Sequence, residues 1–317
     1  MPDVPTAWPV AFPETVAVIK MTADAVGKAA NSMTPTLRVG AVNYLNTKPL
    51  IERLDSIAPS IRLSLELPSK LADQLAANEL DVGLIPVVEF FRGDGYTFIP
   101  NIAIGSRGPV LSVTLFSKVP WAEIRSVSLD EGSRTSAALT RIVLQKRYGV
   151  RPSFEPLPIA APADDLPTDA VLLIGDRAMR ACLPGYRFAY DLGEEWTAWT
   201  GLPMVFAVWA VRRGVELGAA EAAFHKAKEY GLANAGTIAQ REAAALGLDP
   251  GYCRRYMSNI IRYDLGPPEL AGMRKYRELA EELGLVPNPG LAVGGVARER
   301  GAAPGLAVGV RQAGGNT

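Results

Sequence analysis

The feature that most constrains this chain is an alternation of short apolar runs with helix-sized amphipathic segments, laid out twice. Residues 37–46, LRVGAVNYLN, start as an alternating strand and end in a polar loop. TKPLIERLDSI follows as a short helix, with Pro49 in its first turn, where a missing N–H costs little. Residues 61–67 alternate apolar and polar, as a half-exposed strand does. SKLADQLAANEL reads as a helix capped by Ser69, with Leu71 and Leu75 on one face. Residues 81–85 form a short buried strand, and Pro86 starts a new turn or helix. Strands spaced by helices in this way should run parallel, joined by right-handed crossovers.

The pattern then starts again. Residues 111–117 and 124–129 read as strands. GSRTSAALTRIVLQKRYG is a loop running into a long amphipathic helix that ends near Gly149. Residues 170–174 are a buried strand followed by GDRAM, and 204–211 are a continuous apolar run that fits a central crossover strand. From Ala219 the chain reads helical through Leu283. The expected fold is therefore α/β with two lobes and a ligand cleft between them. The first lobe takes residues 37–119, the second 120–203, and residues 204–287 return to the first lobe and add helices. A length of 317 residues suits two such cores. Residues 1–36 are expected to form a disordered arm, with a second possible start at Met33. Residues 288–317, rich in Gly, Ala and Pro, are expected to form a disordered tail, because they bury too little apolar surface to offset the entropy of ordering.

Charge narrows the partners. Lys plus Arg and Asp plus Glu both number 33, so the formal net charge is zero. That gives no basic face for nucleic acid and no polybasic signal for a membrane surface. No run reaches about 18 apolar residues, as a spanning helix needs. The start lacks the basic segment and unbroken apolar core of a secretory signal, so the expected compartment is the cytoplasm. Cys182 and Cys253 are then read as free thiols rather than a disulfide. One histidine and no C-x-x-C argue against zinc.

In open α/β sheets, ligands bind beyond the carboxyl ends of the strands, so the loops there are the candidates. Asn43, Tyr44 and Asn46 sit at the first strand-to-helix junction; carboxamides both donate and accept, and a helix start attracts anions. Ser106 and Ser112 lie around the passage between lobes. A buried Ser112 hydroxyl needs a partner, either a ligand oxygen or a backbone carbonyl. Ser133, Thr135 and Ser136 open the second-lobe helix, where free N–H groups suit a carboxylate or simply a helix cap. Gly175 lets a ligand approach the backbone, while Asp176 fits a helix cap. Trp199 stands in an aromatic segment before the return strand; adjacent Glu194 and Glu195 would point to opposite faces if extended there. His225 falls mid-helix, past the last of these loops, and reads as structural or exposed. Neither a phosphate-binding Walker loop, nor a dinucleotide fingerprint, nor a G-x-S-x-G elbow occurs.

Taken in order, VNYLNTKPL, GPVLSV, GSRTSAAL, LLIGDRAM and EEWTAWTGLPMVFAVW resemble the motifs of the chorismate dehydratases, which open the futalosine route to menaquinone. The resemblance runs over residues 37–283 and includes YDLG at 263–266 and Tyr276. It implies the two-lobed, periplasmic-binding-protein-like (type II) fold. It also implies loss of water from chorismate to give 3-[(1-carboxyvinyl)oxy]benzoate, with no metal or organic cofactor. On the same resemblance Asn46 and Ser112 are the catalytic pair, with Asn43 as second choice for the amide. Neither residue type is a competent base at neutral pH, so the substrate's own carboxylate is expected to take the proton. Thr135 and Ser136 would then hold a substrate carboxylate. Two alternatives stay open: the sister enzyme dihydroxynaphthoate synthase, which looks to need a histidine base, and a solute-binding protein of a transporter.

Overall fold

The computed structural model describes residues 36–288; the expected arm and tail lie, but for their innermost residues, outside them. The first lobe opens with β1 (Leu37–Val42), a 3-10 turn over Leu45–Thr47, and the short helices α1 (Lys48–Ile51) and α2 (Leu54–Ile57). It continues through β2 (Ile61–Glu66), α3 (Pro68–Ala76), β3 (Val82–Pro86), α4 (Val87–Arg92) and β4 (Thr97–Ser106). The chain then crosses over. The second lobe holds β5 (Val113–Ser117), β6 (Ser126–Asp130), α5 (Arg134–Ile142), β7 (Ser153–Leu157), β8 (Ala170–Ile174), α6 (Gly175–Arg180), β9 (Phe188–Asp191) and α7 (Leu192–Thr200). A second crossing leads back to β10 (Met204–Val211) in the first sheet, then α8 (Glu221–Ala233), α9 (Ala235–Leu246), α10 (Pro250–Arg255) and α11 (Pro267–Glu282).

Each sheet has five strands in one shared plan. The first runs β2-β1-β3-β10-β4 and the second β7-β6-β8-β5-β9. In both, the strand that follows a crossing lies antiparallel among strands that are parallel to one another. That strand order explains why 204–211 is apolar throughout: β10 sits between β3 and β4 and is covered on both faces. The β10–β4 register slips between Val205 and Ala207, leaving Phe206 as an extra residue. Such a bulge bends the strand locally, and Phe206 lines the space between the sheets.

Several local expectations need correction. β5 starts at Val113 and pairs in the second sheet, so the first crossing occupies 107–112, ahead of the boundary expected at 119–120. Leu111 cannot continue a strand, since its φ is +63°. Ser69 does not cap α3; Leu67 precedes it and Pro68 takes the first turn. The segment with Glu194 and Glu195 is helical, capped by Asp191, rather than extended. Glu195 there pairs with Arg147 and accepts from the Tyr148 hydroxyl. β4, β7 and β9 are additional to the expected strands; β7 is largely exposed, with little apolar signal to mark it. Among the described residues no helix is long and apolar enough to cross a membrane, and Cys182 and Cys253 are both free.

Candidate active site

The strand ends of both sheets face a cleft that lies between them. Its apolar wall includes Val42, Leu84, Ile104, Val110, Ile174 and Phe206. Its polar wall is Tyr44, Asn46, Thr47, Ser112, Ser133 and Ser136, with Gly175 beside them. Six of the eleven expected site residues thus meet in one cleft: Tyr44, Asn46, Ser112, Ser133, Ser136 and Gly175.

Asn46 lies in the 3-10 turn after β1, a segment with no side-chain cap. Its Oδ1 accepts from the Thr47 hydroxyl at 3.3 Å. The turn is held from across the cleft, where the Leu45 N–H donates to Asp176 Oδ1 at 3.1 Å. Asp176 is therefore a clamp on the opposite loop and not a cap of its own helix, whose cap position is Ile174. Burial pushes its carboxyl above the ordinary range, against the lowering effect of the Leu45 N–H. Tyr44 reaches the second lobe. A side chain on Gly175 would put its Cβ 3.2 Å from the Tyr44 ring, and Gly175 has φ +58°, a backbone state that favours glycine. Burial raises the Tyr44 phenol well above its usual value, with Asp130 adding to the effect.

Ser112 sits in the first crossing, 2% exposed. The crossing is shaped by one carboxylate: Asp191 accepts from the N–H groups of Val110 (3.0 Å), Leu111 (2.7 Å), Gly193 (2.9 Å) and Glu194 (3.1 Å). Burial raises the Asp191 carboxyl, and these four donors act against that rise. They hold Leu111 in its left-handed conformation and so aim Ser112 at the cleft. The Ser112 hydroxyl accepts from the Tyr256 hydroxyl at 2.7 Å; its contact with the Val110 carbonyl is long, 3.4 Å.

In the second lobe Ser133 caps α5, accepting from the Ser136 N–H at 3.2 Å and donating to Ser136 Oγ at 2.8 Å. This is the helix start expected to meet an anion, and Ser133 and Ser136 line the cleft. Thr135 does not. Its hydroxyl accepts from the Val88 N–H across the lobes at 3.3 Å, and its carbonyl accepts from the Tyr276 hydroxyl at 3.1 Å.

Four other expected residues also stand apart from the cleft lining. Asn43 is exposed and accepts from Lys48 Nζ at 2.8 Å. Ser106 is fully buried, donating to the Gly108 carbonyl at 3.1 Å. Trp199 packs edge to face on Trp196, whose indole N–H goes to the Pro203 carbonyl. Asp176 lies behind Leu45, as described above. His225 is half-buried on α8, also outside the lining. Sequence reasoning missed Asp191 and Tyr256. Asp191 could have been found as the helix-capping residue before LGEE, whereas Tyr256 has no local signal, because its partners lie more than a hundred residues away in the chain.

A family described as Menaquinone biosynthesis matches residues 37–282. A chorismate dehydratase of Thermus thermophilus is 31% identical over 269 residues, spanning 78% of this chain and 95% of that protein. Among solved structures, an Archaeoglobus fulgidus protein superposes with a TM-score of 0.64 at 19% identity, over 79% of this chain and 98% of that one. The periplasmic aliphatic sulphonate binding protein of Escherichia coli gives 0.57 at 16% identity, over 88% and 98%. At such identities these two structures speak for the fold alone, and the fold is the expected two-lobed one.

Proposed function

The chain belongs to the menaquinone-biosynthesis family, and from that premise we propose that it is a hydro-lyase acting on chorismate. The ring carbon bearing the enolpyruvyl ether loses its hydrogen as a proton. The neighbouring carbon loses hydroxide, the C–H electron pair becomes a ring π bond, and proton and hydroxide leave as water. The product, 3-[(1-carboxyvinyl)oxy]benzoate, is aromatic, which supplies the driving force.

The observation that carries this reading is the chemistry of the wall. The residues lining the cleft include one amide, hydroxyls and apolar groups but no Asp, Glu, Lys, Arg or His. Tyr44 is the one titratable side chain among them, and burial keeps its phenol protonated. Such a wall can bind and orient a carboxylate without competing for its proton. The enolpyruvyl carboxylate of the substrate then serves as base, Asn46 and Ser112 align it, and Ser133 and Ser136 at the start of α5 receive a carboxylate. Catalysis comes from fixed geometry and excluded water. The histidine-dependent sister reaction loses its base, since His225 is outside the lining. Work in the cytoplasm is part of this reading, and the two free thiols support it.

One observation favours a second base. Asp176 lies just behind the Asn46 turn, and burial raises its carboxyl above the usual carboxylate value. Purified protein incubated with chorismate should release an aromatic product lighter than the substrate by one water. Asp176→Asn should keep the turnover number within about fivefold if the substrate supplies the base, since a lost general base typically costs about 100-fold or more. A collapse of that size would move the base to Asp176, and no product from the parent protein would remove the chorismate assignment.

A further inference from the structure

Behind the cleft wall lies a side chain that hydrogen-bonds Ser112, one member of the proposed catalytic pair. Tyr256 is 1% exposed and does not line the cleft. It stands where α10 widens into a π turn, Tyr256–Ile260, closed by the Ile261 N–H donating to the Tyr256 carbonyl at 3.0 Å. Wide turns of this kind are uncommon and recur at functional sites. Immediately after it the chain is pinned to β4, with the Arg262 N–H on the Gly105 carbonyl and the Gly105 N–H on the Arg262 carbonyl. The phenol is thus held against the crossing from a third part of the chain, the C-terminal helices.

The hydrogen bonds have a direction. The Tyr256 hydroxyl donates to Ser112 Oγ at 2.7 Å. The turn that carries Asn46 packs against the turn that Tyr256 opens. Ser112 keeps its own proton, whose one protein acceptor, the Val110 carbonyl, is 3.4 Å away and at the limit of a hydrogen bond. That proton has a better acceptor to gain in the cleft.

We propose that Tyr256 is a positioning residue that turns the Ser112 hydroxyl into a donor aimed at a substrate oxygen. This deepens the chorismate reading and rests on it for its kinetic test. Without the phenol, Ser112 Oγ has an open lone pair and can turn either way. An alignment error of about 1 Å is enough to cost about a hundredfold in rate.

Tyr256→Phe keeps the ring and removes the one group at issue. With chorismate, kcat should fall about tenfold to a hundredfold while KM stays within about twofold, the split expected when alignment rather than binding is lost. Ser112→Ala combined with Tyr256→Phe should be no slower than Ser112→Ala alone, because both changes remove one unit. A Tyr256→Phe variant with parental kcat, or losses that multiply in the double variant, overturns the proposal. Crystal structures of the parent and Tyr256→Phe give a readout independent of turnover. The Ser112 hydroxyl should leave its parental rotamer, and an unchanged rotamer overturns the proposal. Should the parent fail to convert chorismate, the functional reading falls while the crystallographic comparison still decides the role of Tyr256.

Discussion

In the first lobe the loop after the opening strand enters a three-residue 3-10 turn, Leu45–Thr47, that no side chain caps. In the second lobe the equivalent loop enters the nine-residue α5, and Ser133 caps it from within. The two loops occupy matching places in sheets of the same strand order, yet their backbone groups are satisfied differently. The second-lobe loop completes its own hydrogen bonds through Ser133 and Ser136. The first-lobe loop relies on the far side: Leu45 donates to Asp176, and Tyr44 packs over Gly175. One lobe therefore carries a helix start that is complete by itself. The other carries an amide in a turn held by contacts with the opposite lobe.

That contrast can be broken most directly at Asn46. Asn46→Ala should lower chorismate turnover about a hundredfold or more through misalignment alone. Asn46→Asp should be as severe, because it sets a negative charge beside the carboxylates of the substrate in a site of low dielectric. Steady-state kinetics at saturating chorismate decide it, and an active Asn46→Asp would place a base on the first lobe.

Gly175→Ala tests the dependence of the first loop on the second lobe. A Cβ at φ +58° costs about 1–2 kcal/mol, and it presses on the Tyr44 ring. Thermal unfolding should report the strain, while KM for chorismate rises about tenfold as Tyr44 shifts, an estimate from a binding loss of similar size. Ser133→Ala tests the self-contained helix start. It should cost about 1 kcal/mol of stability as a lost cap and raise KM with little change in kcat, the pattern of binding shared by ground and transition states. A large loss of kcat instead would put the second lobe in the chemistry.

Arg134 spans the lobes, with N–H to Asp73 Oδ1 at 2.8 Å and to Oδ2 at 2.9 Å. The pair is solvent-exposed, Asp73 by 64%, so Arg134→Ala should change KM by about threefold or less. Raising the salt concentration should erase even that difference. His225→Ala should have the smallest effect, with turnover and KM both at parental values. A loss of activity there would show that α8 reaches the chemistry by a route the cleft lining does not include.

The two lobes were also unequally legible. In the first, alternation and buried runs marked β1, β2 and β3 closely, and in the second the five residues of β8 stood out as one apolar block. β7 reads exposed at three of its five positions and β9 is short and mostly half-buried, whereas β4 is continuously buried only over its second half, after Pro100 and Asn101. Among the site residues, the ones read correctly into the cleft come from loops at strand ends, where fold rules alone point. Ser106, Thr135 and Asp176 were read as facing a ligand or a local cap and are instead engaged by protein partners, two of them across the cleft.

Sequence by itself determined that this chain builds two α/β lobes and that Asn46, Ser112 and the start of α5 sit at strand ends. Those facts follow from side-chain period and local turn chemistry, which act over a few residues. Tertiary structure decided which polar group meets which. Asp191 folding the crossing that bears Ser112, Asp176 clamping the Leu45 turn, and Tyr256 standing behind Asn46 and Ser112 are all contacts between segments remote in sequence. A buried donor or acceptor must find a partner, but nothing local says which of the distant ones it will be; only the closed packing of the lobes and the C-terminal helices supplies the answer.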